Sequence, residues 1–66
     1  METKEIMSKL KLVRINRGIS QEKLAEEIGV TRASIINWES GKKIPNIENV
    51  IAICRALKVK IQIKEK

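Results

Sequence analysis

A chain of 66 residues is enough for one small domain, and a core of that size usually needs support from dimerisation or another added contact. Its 14 Lys and Arg side chains against 8 Asp and Glu give a net charge of +6, which indicates a polyanionic partner, nucleic acid before membrane. No apolar run approaches the roughly 20 residues of a membrane span and nothing resembles a signal peptide, so the cytoplasm is the expected location.

Enzyme chemistry is the class of function that the composition supports least. The chain has no histidine, a single cysteine and no glycine-rich loop that could hold a phosphate. Cys54 lies in an apolar run and has no partner for an internal disulfide, so a buried, unreactive thiol is expected. We therefore expect neither a catalytic site nor a metal or other cofactor.

Two helices are predicted in the first half of the chain. The first covers residues 3–17 and ends at Gly18, and the second begins after its N-cap Ser20 and ends at Gly29. Each helix carries apolar residues three or four positions apart, which places them on one face. The expected core residues are Ile6, Leu10 and Val13 in the first helix and Leu24, Ala25 and Ile28 in the second.

Two further helices follow along the chain. Thr31 caps the third helix, which Gly41 closes, and Pro45 prevents helix before the fourth, which Asn46 caps. Their expected core residues are Ile35 and Trp38 in the third helix and Ile47, Val50, Ile51, Cys54 and Leu57 in the fourth. These elements predict a mainly α fold, a compact bundle of four helices over residues 1–57.

Residues 58–66 differ from this pattern, although they are assigned to the same domain. β-Branched residues alternate there with polar ones, and a period of two predicts a strand rather than a helix. A single strand needs a partner, so we expect antiparallel pairing with the same strand of a second copy. The alternatives are pairing with the N-terminal segment, or a frayed tail with dimerisation through the fourth helix. The expected dimer contacts are Leu57, Val59, Ile61 and Ile63.

The connection between the second and third helices is very short and reads "IGVT". Two helices joined this closely must cross steeply. A steep crossing needs a small residue, here Ala25, where the helices approach, and a residue such as Gly29 that adopts a left-handed conformation in the turn. Eight positions fall at the spacings of a helix-turn-helix. They are Gln21, Leu24, Ala25, Ile28, Gly29, Val30, Ile35 and Trp38.

The segment "ISQEKLAEEIGVTRASIINWESGKKIPNIENVIAICRAL" resembles the Cro and lambdoid phage repressor (Xre-type) helix-turn-helix family, over residues 10–57. The skeleton "SQ..LA..IGV....I..WE.G...P" is specific for that family. The resemblance implies a bundle whose third helix enters the major groove of DNA. Family members usually add a fifth helix, whereas this chain has the strand pattern "KVKIQIK". In this respect the chain resembles antitoxin-type relatives such as HipB, in which a C-terminal strand pairs across the dimer.

Four side chains are expected to face outward from the third helix once Ile35 and Trp38 point into the core. Arginine can donate two hydrogen bonds to guanine, asparagine can bond adenine through both amide atoms, and apolar side chains can contact thymine methyl groups. Outside this register, the arginine and the asparagine would be ordinary surface residues, and the isoleucine an isolated apolar one. The helix-turn-helix register predicts base reading by Arg32, Ala33, Ile36 and Asn37.

Other residues are expected to contact the DNA backbone, which sets register and orientation rather than sequence preference. Gln21 begins the second helix, where free N–H groups favour an anion, and in the family the matching glutamine binds a phosphate. An N-cap role alone is the alternative for Asn46, and a solvated side chain is the alternative for Arg17. The remaining candidates are Arg17, Ser34, Ser40, Lys42, Lys43 and Asn46.

The family often pairs an arginine of the first helix with a glutamate of the third, and Arg14 and Glu39 occupy these positions. The resemblance implies a structural ion pair, so Arg14 is not counted as a DNA contact. The patterns together predict a homodimeric, sequence-specific transcriptional regulator that represses through a palindromic double-stranded DNA operator. The alternative is an antitoxin-type protein that binds a partner toxin and also represses its own operon.

Overall fold

Four helices follow one another along the chain in the computed structural model, which describes residues 2–60. Helix α1 is Thr3–Asn16, α2 is Gln21–Ile28, α3 is Arg32–Glu39 and α4 is Ile47–Ala56. Helix α2 packs against both α3 and α4, and α1 packs against α3. The predicted four-helix arrangement is confirmed. None of the helices in this range is both long enough and apolar enough to cross a membrane.

Side chains start three of the helices at the residues that the sequence predicted. The side-chain oxygens of Ser20, Thr31 and Asn46 each accept a hydrogen bond from the backbone N–H three residues later, at 2.9, 3.1 and 2.8 Å respectively. Each bond satisfies a donor that the first turn of a helix leaves without a partner. The starts of α2, α3 and α4 are therefore fixed locally, by the residues that precede them.

A residue in the left-handed conformation follows each of the four helices. Three of them are glycines, Gly18 with φ 69°, Gly29 with φ 74° and Gly41 with φ 80°, but the fourth is Lys58 with φ 58°. After α4, the N–H of Val59 donates to the carbonyl of Cys54 at 2.8 Å, the pattern of a Schellman motif. The backbone immediately after α4 thus satisfies the last carbonyls of the helix.

This helix end alters the prediction for the tail. No strand occurs within residues 2–60: Lys58, where the strand was expected to begin, belongs to the turn after α4, and residues 59–60 follow that turn. Ile61 and Ile63 belong to residues 61–66, which lie outside the described residues, as does the rest of the predicted strand. Val59 is half-buried against the core of its own chain. Leu57 is completely buried in that core, so the expectation that it contacts a second copy is not supported.

The core is built from the faces of all four helices. Four expectations changed. Met7 and Ile53 are buried although the sequence pattern did not select them, whereas Ile47 is 66% exposed and Ile51 only half-buried although both were assigned to the core. On α4 the buried positions follow the spacing i, i+3, i+4, i+7, which leaves Ile47 and Ile51 at the edge of the buried face. The buried apolar residues are Met7, Leu10, Leu24, Ala25, Ile35, Val50, Ile53, Cys54 and Leu57.

Cys54 is a buried, free cysteine. Burial raises the pKa of its thiol, because an apolar environment disfavours the thiolate. The thiol is therefore protonated at neutral pH. Because the thiolate is the form that acts as a nucleophile or a metal ligand, Cys54 is expected to be unreactive. Among residues 2–60, no three His, Cys, Asp or Glu side chains come together in a way that could hold a metal ion.

Candidate nucleic-acid interface

The crossing of α2 and α3 sets the geometry of the candidate interface. Ala25 is buried in the face of α2 that packs on the core, and the N–H of Val30 returns to the Ala25 carbonyl at 3.0 Å. Gly29 between them is left-handed, which a residue without a Cβ adopts without strain. Only residues 29–31 separate the end of α2 from Arg32, where α3 begins, and this short connection is the one from which the sequence predicted a steep crossing.

The outer face of α3 carries the four side chains predicted to read bases. Arg32 and Ala33 are exposed, Ile36 is 40% exposed, and Asn37 is half-buried. On the opposite face Ile35 is completely buried. The register of α3 therefore presents an arginine, a methyl group, an isoleucine and an amide along one side of the helix. An α-helix with such a face has the dimensions and the donor chemistry to enter a major groove.

An ion pair joins the C-terminal end of α3 to α1. Arg14 Nε donates to Glu39 Oε2 at 2.7 Å, and Arg14 Nη2 donates to Glu39 Oε1 at 3.0 Å. The two residues are only 7% and 8% exposed. The remaining guanidinium nitrogen, Nη1, donates to the carbonyl of Ile19 at 2.7 Å, in the turn before α2. The structure thus brings Arg14 and Glu39 together as the resemblance implies, in a two-pronged geometry.

Gln21, the first residue of α2, joins the same network. Its Nε2 donates to Glu39 Oε1 at 3.0 Å, and the side chain is half-buried. Sequence reasoning missed this contact, because it joins two helices through residues far apart in the chain and leaves no periodic signal. Gln21 also lines a shallow cleft at the start of α2, together with Arg14, Ser20, Glu22 and Arg32.

The loop after α3 is tied to the end of that helix. The carbonyl of Asn37 accepts two hydrogen bonds from the loop, one from Ser40 Oγ at 3.2 Å and one from the N–H of Lys43 at 3.1 Å. These bonds hold the loop beside the last turn of α3. The side chains of Lys42 and Lys43 are exposed there, so the loop adds positive charge next to the outer face of α3.

The other predicted phosphate contacts have different surroundings. Ser34 is half-buried, and its Oγ lies 3.0 Å from Thr31 Oγ1, so this hydroxyl belongs to the N-cap of α3. Asn46 is exposed, and its Oδ1 is occupied by the cap of α4, which leaves its amide nitrogen for another acceptor. Arg17 is exposed at the end of α1, where it lines a shallow depression with Ile19 and the end of α4.

Lys4 is a basic residue beside the loop that follows α3, and it was not identified from the sequence. The aliphatic stem of Lys4, in the first turn of α1, comes within 3.5 Å of the position that a Cβ on Gly41 would occupy. Gly41 has φ 80°, so a side chain at that position would be strained. Lys4 therefore lies beside the loop that carries Lys42 and Lys43, and its ammonium adds to the charge of that loop. Only the folded arrangement of α1 against α3 could reveal this.

The match to known families covers most of the chain. Residues 10–64 match the family described as Helix-turn-helix. The chain belongs to this helix-turn-helix family. The HTH-type transcriptional regulator YgzD of Bacillus subtilis (strain 168) is 38% identical over 55 residues, which are 83% of each chain.

Two other relatives, whose names give a function, are longer proteins than this chain. The HTH-type transcriptional activator BcrR of Enterococcus faecalis is 40% identical over 57 residues, 86% of this chain. The helix-turn-helix chain spans only 28% of the length of BcrR. The phage CTXphi transcriptional repressor RstR of Vibrio cholerae serotype O1 is 38% identical over 42 residues, 64% of this chain and 38% of RstR.

Solved structures of HipB share the fold of this helix-turn-helix chain. A HipB–O2 20mer complex superposes with a TM-score of 0.85 at 25% identity, covering 98% of this chain and 90% of that one. A HipA–HipB–O2–O3 complex gives the same TM-score and identity, and covers 98% and 92% of the two chains. The similarity to HipB extends over essentially the whole chain.

Proposed function

We propose that this chain is a sequence-specific DNA-binding transcriptional regulator that reads the major groove with α3 and acts as a homodimeric repressor. One observation carries the proposal. The outer face of α3 exposes Arg32, Ala33 and Ile36, with Asn37 beside them, while the opposite face is locked into the core by the fully buried Ile35. A short helix that exposes hydrogen-bonding and methyl-contacting groups in this order suits the edges of base pairs.

Electrostatics supports a nucleic-acid partner. The chain carries a net charge of +6, and Lys42, Lys43 and Lys4 concentrate positive charge at the loop that follows α3. Lysine contacts to phosphates release counterions and contribute affinity on any DNA sequence. Gln21 at the start of α2 adds a neutral phosphate contact where the free N–H groups of a helix favour an anion. Phosphate contacts on both sides of α3 would fix its position in the groove.

Repression is the simplest outcome of such binding. Occupying DNA is sufficient to block other proteins from the same site, whereas activation needs an additional productive contact. The relatives include both outcomes, since RstR is named a repressor and BcrR an activator, and this chain matches only 28% of BcrR. Two copies related by a two-fold axis would read a palindromic operator whose half-sites lie about 34 Å apart. The alternating residues of the tail are our candidate for the contact between copies.

An antitoxin role is the second candidate. The observation that favours it is the similarity to HipB over 98% of the chain, because one of the HipB structures is a complex with HipA. An antitoxin of this kind would bind DNA through α3 and a partner protein through another surface. A gene for a toxin-like protein next to the gene for this chain, and co-purification of the two products, would favour this role over that of a stand-alone repressor.

The experiment that tests the proposal is selection of bound duplexes from a random DNA library at a stated salt concentration. On the selected duplex, Asn37→Ala is expected to weaken binding by about 1–3 kcal/mol and to relax the preference at one position in each half-site, because it removes a two-pronged contact to a base. Competition binding against selected and random duplexes measures both effects. Equal weakening on the two duplexes would exclude a base-reading role for Asn37.

Lys43 tests the backbone contacts separately. Lys43→Ala is expected to weaken binding to all duplexes alike and to reduce the slope of log affinity against log salt by about one unit per subunit, because one phosphate contact is lost. Arg55→Ala is the matched control, since it removes the same charge from the last turn of α4, beside Glu27 and Ile28 at the far end of α2. If both variants change the slope equally, Lys43 contributes only to net charge.

A further inference from the structure

The carboxylate of Glu39 has more than one partner. Its two oxygens accept two hydrogen bonds from Arg14, at 2.7 and 3.0 Å, and a third from Gln21 Nε2 at 3.0 Å. Glu39 is the last residue of α3 and Gln21 the first residue of α2, so this carboxylate links the two helices of the helix-turn-helix at the start of α2. The ion pair with Arg14 accounts for two of these bonds but not for the third.

We propose that Glu39 is a positioning residue for DNA binding, which acts by holding the Gln21 amide at the start of α2 ready to donate to a phosphate. This inference rests on the function proposed above. A carboxylate accepts hydrogen bonds and cannot donate them, so only the NH₂ group of Gln21 can face Glu39. One N–H of Nε2 then bonds to Glu39, and its second N–H remains for a DNA oxygen.

Holding the side chain matters because glutamine is flexible. A free glutamine loses the freedom of three rotatable bonds when it is fixed against DNA, and that loss weakens binding. Here the half-buried Gln21 is already fixed by Glu39 in the folded protein, so most of that freedom is lost before DNA arrives. The contact is preorganised, and its contribution to affinity is correspondingly larger.

Arg14 makes this arrangement compatible with an anionic partner. A lone carboxylate near the start of α2 would repel a phosphate, but the two-pronged pair with the Arg14 guanidinium compensates its charge. Arg14 Nη1 also holds the carbonyl of Ile19, in the turn that leads into α2. The pair therefore fixes both the backbone before Gln21 and the orientation of its side chain, without itself contacting DNA.

A double-mutant cycle on DNA affinity tests the coupling. The background variant is Arg14→Met/Glu39→Leu, which removes the acceptor of Gln21, keeps the net charge at +6 and leaves no buried charge without a partner. In the otherwise unchanged chain, Gln21→Ala is expected to weaken binding to the selected duplex about tenfold, as for loss of one hydrogen bond to a charged group. In the background variant, the same substitution is expected to weaken binding less than about twofold.

Two results would overturn the proposal: an equal loss from Gln21→Ala in both backgrounds, or a background variant that binds DNA as tightly as the unchanged chain. Circular dichroism and urea unfolding establish that each variant is folded under the binding conditions. If the unchanged chain binds no duplex from the library, the proposed function itself fails. If the chain binds DNA but Gln21→Ala causes the same loss in both backgrounds, only the positioning role of Glu39 fails.

Nuclear magnetic resonance of the unchanged chain gives a second test that needs no variant. The side-chain NH₂ of Gln21 is expected to be ordered without DNA, with an order parameter near the 0.85 or so of a rigid backbone, whereas the exposed amide of Asn16 falls below about 0.6. A merely structural ion pair between Arg14 and Glu39 would not order the Gln21 amide. An order parameter of Gln21 as low as that of Asn16 would refute the positioning role.

Discussion

Replacing Glu39 with alanine is expected to lower the free energy of unfolding by about 3–5 kcal/mol, because it leaves the Arg14 guanidinium buried without its carboxylate. Arg14 is only 7% exposed, so water cannot take the place of the two bonds that Glu39 accepts. Total stability of a domain this small is of the same order. Urea unfolding followed by the fluorescence of Trp38, which is the only tryptophan and precedes Glu39, measures the loss.

The matched control is Glu26→Ala, an exposed glutamate in the middle of α2 whose removal changes the net charge by the same amount. That substitution is expected to change the free energy of unfolding by less than about 0.5 kcal/mol, as is usual for surface positions. The difference between the two variants should persist at high salt, since buried pairs are screened far less than exposed ones. Equal stabilities of Glu39→Ala and Glu26→Ala would contradict a buried, stabilising pair.

Helix boundaries were predictable because the signals for them are local. A capping hydroxyl or amide acts on an N–H three residues away, so Ser20, Thr31 and Asn46 could be identified from neighbouring letters alone. Gly29 marked the turn between α2 and α3 for a similar reason, since only glycine reaches φ 74° without strain. The sequence of this short segment was therefore sufficient to predict both the turn and the helices on either side of it.

The rotation of each helix about its axis was less predictable. Apolar spacing defines a stripe, but the edge of the stripe that is buried depends on the neighbouring helices. On α4 the buried face is centred on Ile53 and Leu57, so Ile47 is left exposed at its edge. On α1 the buried face includes Met7, which the predicted stripe of Ile6, Leu10 and Val13 left out. It also includes the charged Arg14, which a search for apolar residues does not select.

In the candidate site too, features set within one helix were predictable and contacts between distant parts of the chain were not. The outward register of Arg32 and Asn37 followed from Ile35 on the opposite face, which is a local relation within one helix. The contacts of Gln21 with Glu39 and of Lys4 with the loop at Gly41 join distant parts of the chain. Such contacts depend on how the helices pack, and a single sequence contains no direct signal for them.

The start of the tail shows how a helix end can override a strand pattern. The alternation of apolar and polar residues predicted an extended chain from Lys58 onward, yet Lys58 is left-handed with φ 58°. The N–H groups of Lys58 and Val59 bond to carbonyls in the last turn of α4, so they are not available to a neighbouring strand. Unsatisfied carbonyls at the end of a helix acted more strongly here than the propensity of two residues.

Dimerisation is the property on which the proposed operator binding depends most. Two linked reading helices hold DNA far more tightly than one, because the second helix binds at a high effective concentration. The sequence pattern assigns the contact between copies to the apolar residues of the tail, with Ile61 at its centre. A carboxylate placed in an apolar seam between two copies would have to lose its water without a partner, which opposes association.

We therefore expect Ile61→Asp to sediment as a monomer and to bind the selected duplex at least on the order of 100-fold more weakly than the unchanged chain. Gln62→Asp is the matched control, since it adds the same negative charge at the adjacent residue. If the tail pairs as the sequence pattern predicts, a period of two puts that residue on the side opposite Ile61. The control should remain dimeric and keep most of its affinity, with only the small loss that one charge causes. Analytical ultracentrifugation and DNA titration at one salt concentration separate the outcomes. An Ile61→Asp variant that remains dimeric and binds like Gln62→Asp would place the contact between copies outside the tail.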